Sequence, residues 1–265
     1  MTILIIIFIY GIAIGSFLNV LIDRLPNNES INGRSHCDYC KKKIAWYDLF
    51  PIISFFILGG KTRCCGKKLS FQYPLIEMLT GLSFLLIFNL KFLIFNQFLI
   101  SNFKFQILNL LIMWGIVSCL IVIFVSDLKY HLISDYILLA FFICSLLLHI
   151  FNNQTVGQWS NYLISGLIVA LPISLIYFLS KERAMGLGDV LLALNIGFLL
   201  GWQEGFIALY IAFITGAIFG IGLIILQRKK LKSRIAFGPF LVLGTVAMLL
   251  YGEKVLELIK RIYGF

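Results

Sequence analysis

The chain has 265 residues, of which 60% are hydrophobic and 13% are charged, and its mean hydropathy is +0.98. Soluble domains contain roughly 45–50% apolar residues and have helices of about 11–12 residues, too short for apolar runs of about 20 residues. These values exclude an ordinary water-soluble domain and predict a polytopic membrane protein. The net charge of +10 does not indicate nucleic-acid binding, because the basic residues lie between apolar runs, as in cytosolic loops.

Eight apolar runs bounded by polar residues predict an all-α fold of about eight transmembrane helices. The runs cover residues 3–22, 75–95, 107–126, 133–151, 160–180, 188–202, 205–227 and 236–252. The first run is followed by Asp23 and Arg24 and preceded by no basic residue. We therefore interpret it as a membrane anchor with its N-terminus outside, not as a signal peptide.

Residues 23–74 form the longest polar segment and carry nine basic residues, so we expect a cytosolic loop domain between the first and second helices. The basic segment 228–235 is also expected in the cytosol. Within the loop, the apolar stretch 49–58 is too short to cross a hydrocarbon core of about 30 Å, which predicts a small buried helix or an interfacial segment. The expected organisation is a first transmembrane helix (1–22), the cytosolic loop domain (23–74), a transmembrane core (75–252) and an amphipathic interfacial tail (253–265).

Two aspartates stand at the edges of apolar runs, where an ionisable group is energetically unfavourable unless it faces protein or water. Asp127 closes the run 107–126, and Asp189 follows Gly186 and Gly188 at the start of the run 188–202. With the topology above, both lie at the cytosolic side and can meet. Two neighbouring carboxylates share a proton and can activate a water for amide hydrolysis, while the glycines would allow close approach of a backbone.

Other roles remain open for these carboxylates. Asp127 and Asp189 could cap helices, as we expect of Asp135 at the start of the fourth run. Asp127, Asp189 and Glu77 could instead form the relay of a proton-coupled or cation-coupled transporter.

Four cysteines of the polar loop indicate a structural zinc site, since a disulfide is not expected in the cytosol. They are Cys37, Cys40, Cys64 and Cys65. His36 is a further possible ligand, because adjacent cysteines depart from the usual pair of C-x2-C knuckles. Cys119 and Cys144 lie within apolar runs and are expected to be small core residues.

The chain as a whole resembles the type IV prepilin peptidases. The resemblance is carried by Ile14-Gly15-Ser16-Phe17-Leu18-Asn19-Val20, Arg24-Leu25-Pro26, Cys37-x-x-Cys40, Trp46-Tyr47, Tyr73-Pro74-Leu75-Ile76-Glu77, Asp127-Leu128-Lys129, Gly186-Leu187-Gly188-Asp189 and Phe237-Gly238-Pro239-Phe240. Such enzymes are GxGD aspartyl proteases of the bacterial inner membrane that cleave prepilin or pseudopilin leader peptides, and many also N-methylate the new N-terminus with S-adenosylmethionine. The resemblance implies that Asp127 and Asp189 are the catalytic pair.

Three positions depart from the family pattern. Thr62 stands where the third cysteine of the metal site is usual, with Cys65 as the fourth and Cys64 between them. Ser134 replaces a usual proline, and Leu191 replaces a usual lysine. A peptidase without methyl transfer and a pure assembly factor therefore remain alternatives, in addition to the transporter.

Overall fold

The computed structural model describes residues 2–37, 39–95, 103–151, 156–182, 185–226 and 236–263. In this part of the chain the regular structure is helical, with two isolated β-bridges and no β-strand, which confirms the all-α prediction. The basic segment 228–235, expected in the cytosol, lies outside the described residues.

The described residues form nine α-helices and one 3₁₀ helix (Trp46–Leu49). The α-helices are α1 (Thr2–Arg24), α2 (Ile53–Ile57), α3 (Gln72–Phe95), α4 (Phe103–Tyr130), α5 (Asp135–Phe151), α6 (Val156–Ser180), α7 (Leu187–Leu200), α8 (Trp202–Ile225) and α9 (Gly238–Tyr263).

Six of these helices are long and apolar enough to cross a membrane, namely α1, α3, α4, α6, α8 and α9. The other two apolar helices, α5 and α7, have 17 and 14 residues. At 1.5 Å per residue, α7 extends only about 21 Å, less than a hydrocarbon core of roughly 30 Å. The protein is therefore a multi-pass helical membrane protein, and the count of eight spans stays a prediction.

The chain divides into two compact units, residues 1–122 and 123–265. In the first unit, α1 and α3 approach each other at glycines. A Cβ atom at Gly11 would lie 2.8 Å from Gly81 Cα, and one at Gly15 would lie 2.7 Å from Glu77 Cα. Small residues spaced by four allow such close helix contact in membranes.

Phe84 stacks on Trp114 at a centroid distance of 4.7 Å and, with Ile7, fills the apolar core beside this contact.

In the second unit, the short helix α7 lies at the centre and contacts α5, α6, α8 and α9. Its side chains from Leu192 to Leu199 are almost all buried. The Asn195 amide donates to the Leu138 carbonyl oxygen at 3.2 Å and ties α7 to α5. The N-terminal turn of this central helix carries Asp189, so the packing of four neighbours determines where that carboxylate lies.

The sequence predicts two shorter segments. The stretch 49–58 forms α2 and its surroundings, and Phe56 and Ile57 are 65% and 75% exposed. Of the two alternatives, the buried helix is therefore wrong, and the interfacial segment stays a prediction. In the tail 253–265, the described residues are helical, and α9 continues into them without a break as far as Tyr263; the location of the tail at the interface stays a prediction.

Candidate active site

Asp127 lies in the last turn of α4, which continues past the apolar run to Tyr130 before His131 adopts a left-handed φ of 53°. Its side chain is buried, with 6% of its surface exposed. The Oδ2 atom accepts a hydrogen bond from the Gly238 N–H at 2.9 Å. Gly238 begins α9, and the first N–H groups of a helix have no partner within the helix and carry the positive end of its dipole. The start of α9 therefore binds the Asp127 carboxylate.

Asp189 is the third residue of α7 and is half-buried. Its Oδ2 atom accepts the Gly186 N–H at 3.2 Å. This is half of a capping box, because glycine has no side chain to return the second hydrogen bond. Asp189 thus also lies at the positive end of a helix dipole.

The two carboxylates lie in one neighbourhood, around the side chain of Ile133. A Cβ atom at Gly188 would be 3.1 Å from Ile133 Cβ, and one at Gly238 would be 3.2 Å from Ile133 Cδ1 and 2.7 Å from Asp127 Oδ2. Asp189 is close enough to Asp127 for their charges to repel each other. The expectation that these two residues can meet therefore agrees with their positions.

This arrangement leaves one oxygen of each carboxyl group available. Among the described residues, Asp127 Oδ1 and Asp189 Oδ1 have no hydrogen-bond partner, whereas each Oδ2 is bound to a glycine N–H. Both side chains do contact helix starts, so the capping interpretation describes one half of their geometry. Capping alone does not require two mutually repelling carboxylates beside each other, and such a pair is suited to holding a single proton between two acids.

The sequence does not predict the role of two contributors to this site. Gly238 lies within the Phe237-Gly238-Pro239-Phe240 motif, and glycine followed by proline at the start of a helix is a signal for a free N–H. Ile133 carries no signal, because an isoleucine at the end of a loop is ordinary. The prediction that Asp135 caps its helix is wrong by one residue: Asp135 is the exposed first residue of α5, and Ser134 takes the N-cap place before it, where its carbonyl accepts the first helical hydrogen bonds.

The four loop cysteines form a compact cluster in the first unit. The sulfur atoms of Cys37, Cys40, Cys64 and Cys65 all lie within 4.8 Å of one another. The Cys37–Cys65 and Cys40–Cys64 sulfur distances are 3.7 and 3.2 Å. A tetrahedral zinc with Zn–S bonds of about 2.3 Å would place its ligand sulfurs roughly 3.8 Å apart. The cluster has the donor set and size for a metal ion, and His36 is not one of its members.

The cluster is built from two turns with the same backbone pattern. In the first, the Cys37 N–H donates to the Lys42 carbonyl at 2.9 Å, and the Lys41 N–H donates to the Cys37 carbonyl at 2.8 Å. In the second, Thr62 takes the place of Cys37, with Lys67 and Gly66 as its partners, both at 2.8 Å. Thr62 thus corresponds to Cys37, and Cys65, three residues later, to Cys40.

This correspondence explains the adjacent cysteines. Thr62 occupies a ligand position without a thiol, and its hydroxyl lies 3.1 Å from the Cys65 sulfur. The fourth sulfur comes instead from Cys64, one residue before Cys65. The prediction that Thr62 stands at the usual position of the third cysteine therefore agrees with the backbone of the second turn.

The thiols of the cluster differ in acidity. Burial opposes ionisation of Cys37, but backbone hydrogen bonds from Cys40 and Tyr39 outweigh it and lower the pKa of this thiol to about 6. The hydrogen bond between Cys64 and Cys40 raises the pKa of Cys64 to about 12. The buried Cys37 is therefore the thiol best prepared to bind a cation as a thiolate.

The fold and the acid pair define a multi-pass helical membrane protein with two carboxylates together at helix N-termini. Residues 9–91 match the model of the bacterial peptidase A24 N-terminal domain, and residues 114–221 match that of the type IV leader peptidase family. The chain belongs to the type IV leader peptidase family and is an enzyme, a peptidase.

Relatives named "Prepilin leader peptidase/N-methyltransferase" align over most of the chain. The protein from Bacillus subtilis (strain 168) is 28% identical over 95% of this chain and 96% of its own length. That from Klebsiella pneumoniae is 32% identical over 74% of this chain and 85% of its own, and that from Dickeya chrysanthemi is 30% identical over 91% and 90%. No solved structure matches the chain.

Proposed function

We propose that this protein is an intramembrane aspartyl endopeptidase that removes the leader from type IV prepilins or pseudopilins, with Asp127 and Asp189 as its catalytic pair. The observation that carries the proposal is the placement of two repelling carboxylates around Ile133, each with one oxygen bound by a helix-start N–H. The names of the relatives supply the substrate class.

In the proposed reaction the pair holds one proton. The ionised carboxylate takes a proton from a water molecule as its oxygen attacks the scissile carbonyl carbon, while the protonated carboxyl group donates to the carbonyl oxygen. The tetrahedral intermediate then collapses, the C–N bond breaks, and the leaving nitrogen receives a proton from the pair. The hydrogen bonds from Gly238 and Gly186 keep one oxygen of each acid fixed, so the other two face the reacting atoms.

We also propose N-methylation of the new N-terminus, with S-adenosylmethionine supplying the methyl group. The relatives' names pair the two activities, and the N-terminal domain matched at residues 9–91 contains the cysteine loop. We infer that Cys37, Cys40, Cys64 and Cys65 hold one zinc ion, which would fix the two turns of that loop to each other.

The proposed location is the bacterial inner membrane, with the N-terminus outside and both the loop 23–74 and the acid pair at the cytosolic side. The excess of basic residues in the loop supports this orientation. Cysteine labelling at position 32, in a functional variant that retains only the four cluster cysteines, tests it. Modification of Asn32→Cys by an impermeant reagent from outside intact cells would overturn the orientation.

The activity itself is tested with purified protein and a synthetic prepilin peptide that spans the leader junction. Mass spectrometry of the products identifies the cleaved bond, and addition of S-adenosylmethionine reports methylation separately. Cleavage at the junction without methylation would favour a peptidase without methyl transfer. An intact peptide, under conditions in which a relative cleaves it, would contradict the peptidase proposal for this substrate class.

A further inference from the structure

Polar side chains of α1 and α3 meet where these helices approach most closely, and the acid pair uses none of them. The Glu77 side chain lies there with 6% of its surface exposed. Its Oε2 atom accepts the Ile52 N–H at 2.7 Å, and the Ser16 hydroxyl hydrogen-bonds to the same carboxyl group. Gly15 makes the contact possible, since a Cβ atom there would lie 2.7 Å from Glu77 Cα.

Asn19 lies one turn after Ser16 on the same face of α1 and leaves an acceptor without a partner. Its Nδ2 atom donates to the carbonyl oxygens of Gly15 and Tyr73 at 3.3 and 3.2 Å. Both partners are acceptors, so the amide nitrogen must face them and the orientation of the amide is fixed. The described residues offer no hydrogen-bond donor to the buried Oδ1 atom, and a buried acceptor in this state is unfavourable unless something donates to it.

Within the described residues, no ion pair to Glu77 compensates the charge of this cluster. The ion pair that the described residues contain joins Arg63 to Asp48, not to Glu77. Arg24, a basic residue on the same helix as Ser16, donates to the carbonyl oxygens of Ser30 and Ile31. A buried carboxylate and a buried carbonyl without a described donor, about one turn apart along the same helix contact, form a pair of groups that complements a small cation.

The backbone that donates to Glu77 is strained. Ile52 has φ 61° and ψ −53°, a positive φ outside the left-handed helical region, and the Ile53 N–H donates to the Pro51 carbonyl as in a γ-turn. This conformation is rare for a β-branched residue. Its N–H is the group that binds the Glu77 carboxylate, at the N-terminus of the exposed helix α2. Release of this hydrogen bond would allow Ile52 to relax and would free Glu77 Oε2 to accept from another donor.

We propose that Glu77, Ser16 and Asn19 form a binding site for an organic onium group, and that this site serves methyl transfer. The inference rests on the proposed N-methylation, which offers two such groups: the α-ammonium of the cleaved pilin and the sulfonium of the methyl donor. In either case the Glu77 carboxylate attracts the cation, and the Asn19 carbonyl oxygen supplies a second contact.

The transfer balances in protons and charge. The pilin ammonium loses one proton, which a Glu77 oxygen can accept when the amine is the bound group. The neutral nitrogen attacks the methyl carbon, the N–C bond forms, and the C–S bond breaks with its electron pair passing to sulfur. The products are a secondary ammonium, a neutral thioether and one released proton.

The test measures binding to the full-length protein in lipid nanodiscs, without turnover. Two pairs of probes are used, and the members of each pair differ by one positive charge. The first pair is S-adenosylmethionine and S-adenosylhomocysteine, and the second is a mature pilin peptide with a free N-terminus and its N-acetylated form. The wild type is expected to prefer the charged member of one pair, which identifies the bound group. Glu77→Gln keeps an acceptor oxygen for Ile52 but loses the charge, so that preference should fall by about tenfold to a hundredfold, the range for losing a hydrogen bond to a charged group.

Glu204→Gln, which changes a partly buried carboxylate in α8, is the matched control and should retain the preference. An elution profile of Glu77→Gln in nanodiscs that matches the wild type reports that the variant folds. A wild type indifferent to charge in both pairs, or a Glu77→Gln variant with undiminished preference, would overturn the site. Failure of the wild type to methylate, with the preference intact, would instead refute methyl transfer and leave the onium site standing.

Discussion

The acid pair and the cysteine cluster are held in place in different ways. Asp127 and Asp189 are bound by backbone N–H groups at the starts of α9 and α7, and α7 is surrounded by four helices. The cysteines lie on two short turns, where Cys64 and Cys65 are exposed. Helix packing therefore fixes the position of the acid pair. The cysteine cluster depends instead on contacts among its own sulfur atoms and on the ion that we propose they bind.

The largest effect is expected when either carboxylate is changed. Asp127→Asn and Asp189→Asn keep side-chain volume and an acceptor oxygen but remove the shared proton, so leader cleavage should fall by at least about a thousandfold. Initial rates with a prepilin peptide measure this, and unchanged membrane insertion shows that the variant is folded. Normal cleavage by either variant would remove that residue from the mechanism.

A change beside the pair should have a smaller but specific effect. A Cβ atom at Gly238 would lie 2.7 Å from Asp127 Oδ2, so Gly238→Ala must displace the carboxylate. A shift of about 1 Å can lower a rate about a hundredfold, and we expect a loss of about tenfold to a hundredfold. Gly222→Ala is the matched control, because no atom of the described residues lies within 4 Å of its added Cβ atom. Equal rates for the two variants would show that this contact does not position Asp127.

The zinc affinity of the cysteine cluster should depend on which residues carry the four sulfur atoms. Cys64→Ser removes one ligand and should weaken zinc binding by at least about a hundredfold, with little effect on cleavage. Adding Thr62→Cys to that variant restores C-x2-C on both turns and should recover the affinity. Competition with a chromogenic chelator measures both. Zinc affinity that is unaffected by Cys64→Ser would mean that Cys64 is not a ligand.

The smallest effect is expected at Asp135. It is exposed, and its carboxylate contributes only through the dipole of α5, an interaction of about 0.3–1 kcal/mol. Asp135→Asn should therefore change cleavage by less than about twofold and stability by less than about 1 kcal/mol. A loss comparable to that of Asp189→Asn would mean that a third carboxylate takes part in the reaction.

The sequence predicted the helices well because long apolar runs leave few alternatives in lipid. It predicted their ends less well, since a helix does not have to end where its apolar residues do. Thus α4 continues through Asp127 to Tyr130, and α9 continues past Gly252 to Tyr263. For the stretch 49–58 the sequence left a buried helix and an interfacial segment open, because apolar content does not say whether a second layer covers a short helix; the exposed Phe56 and Ile57 exclude the buried helix.

For the site, sequence indicated which side chains matter but not what positions them. Asp127 and Asp189 were singled out because carboxylates are rare in apolar surroundings. Gly238 and Ile133 contribute through a backbone N–H and a side-chain contact across more than 100 residues of chain, which no local pattern encodes. The position of Thr62 in place of a ligand cysteine could be predicted from sequence, because the two turns repeat one local backbone pattern.

We propose that the acid pair cleaves the leader and that the cysteine loop serves methylation. The most direct test of this division of functions is the mass of one pilin N-terminus. A prepilin would be co-expressed with the wild type, Asp189→Asn or Cys40→Ser, and a pre-cleaved pilin would be given to the Asp189→Asn protein. We predict a cleaved, methylated product from the wild type, an uncleaved product from Asp189→Asn, and a cleaved but unmethylated one from Cys40→Ser. The pre-cleaved pilin should still be methylated by Asp189→Asn. A mature N-terminus produced at the wild-type level by Asp189→Asn would contradict the account.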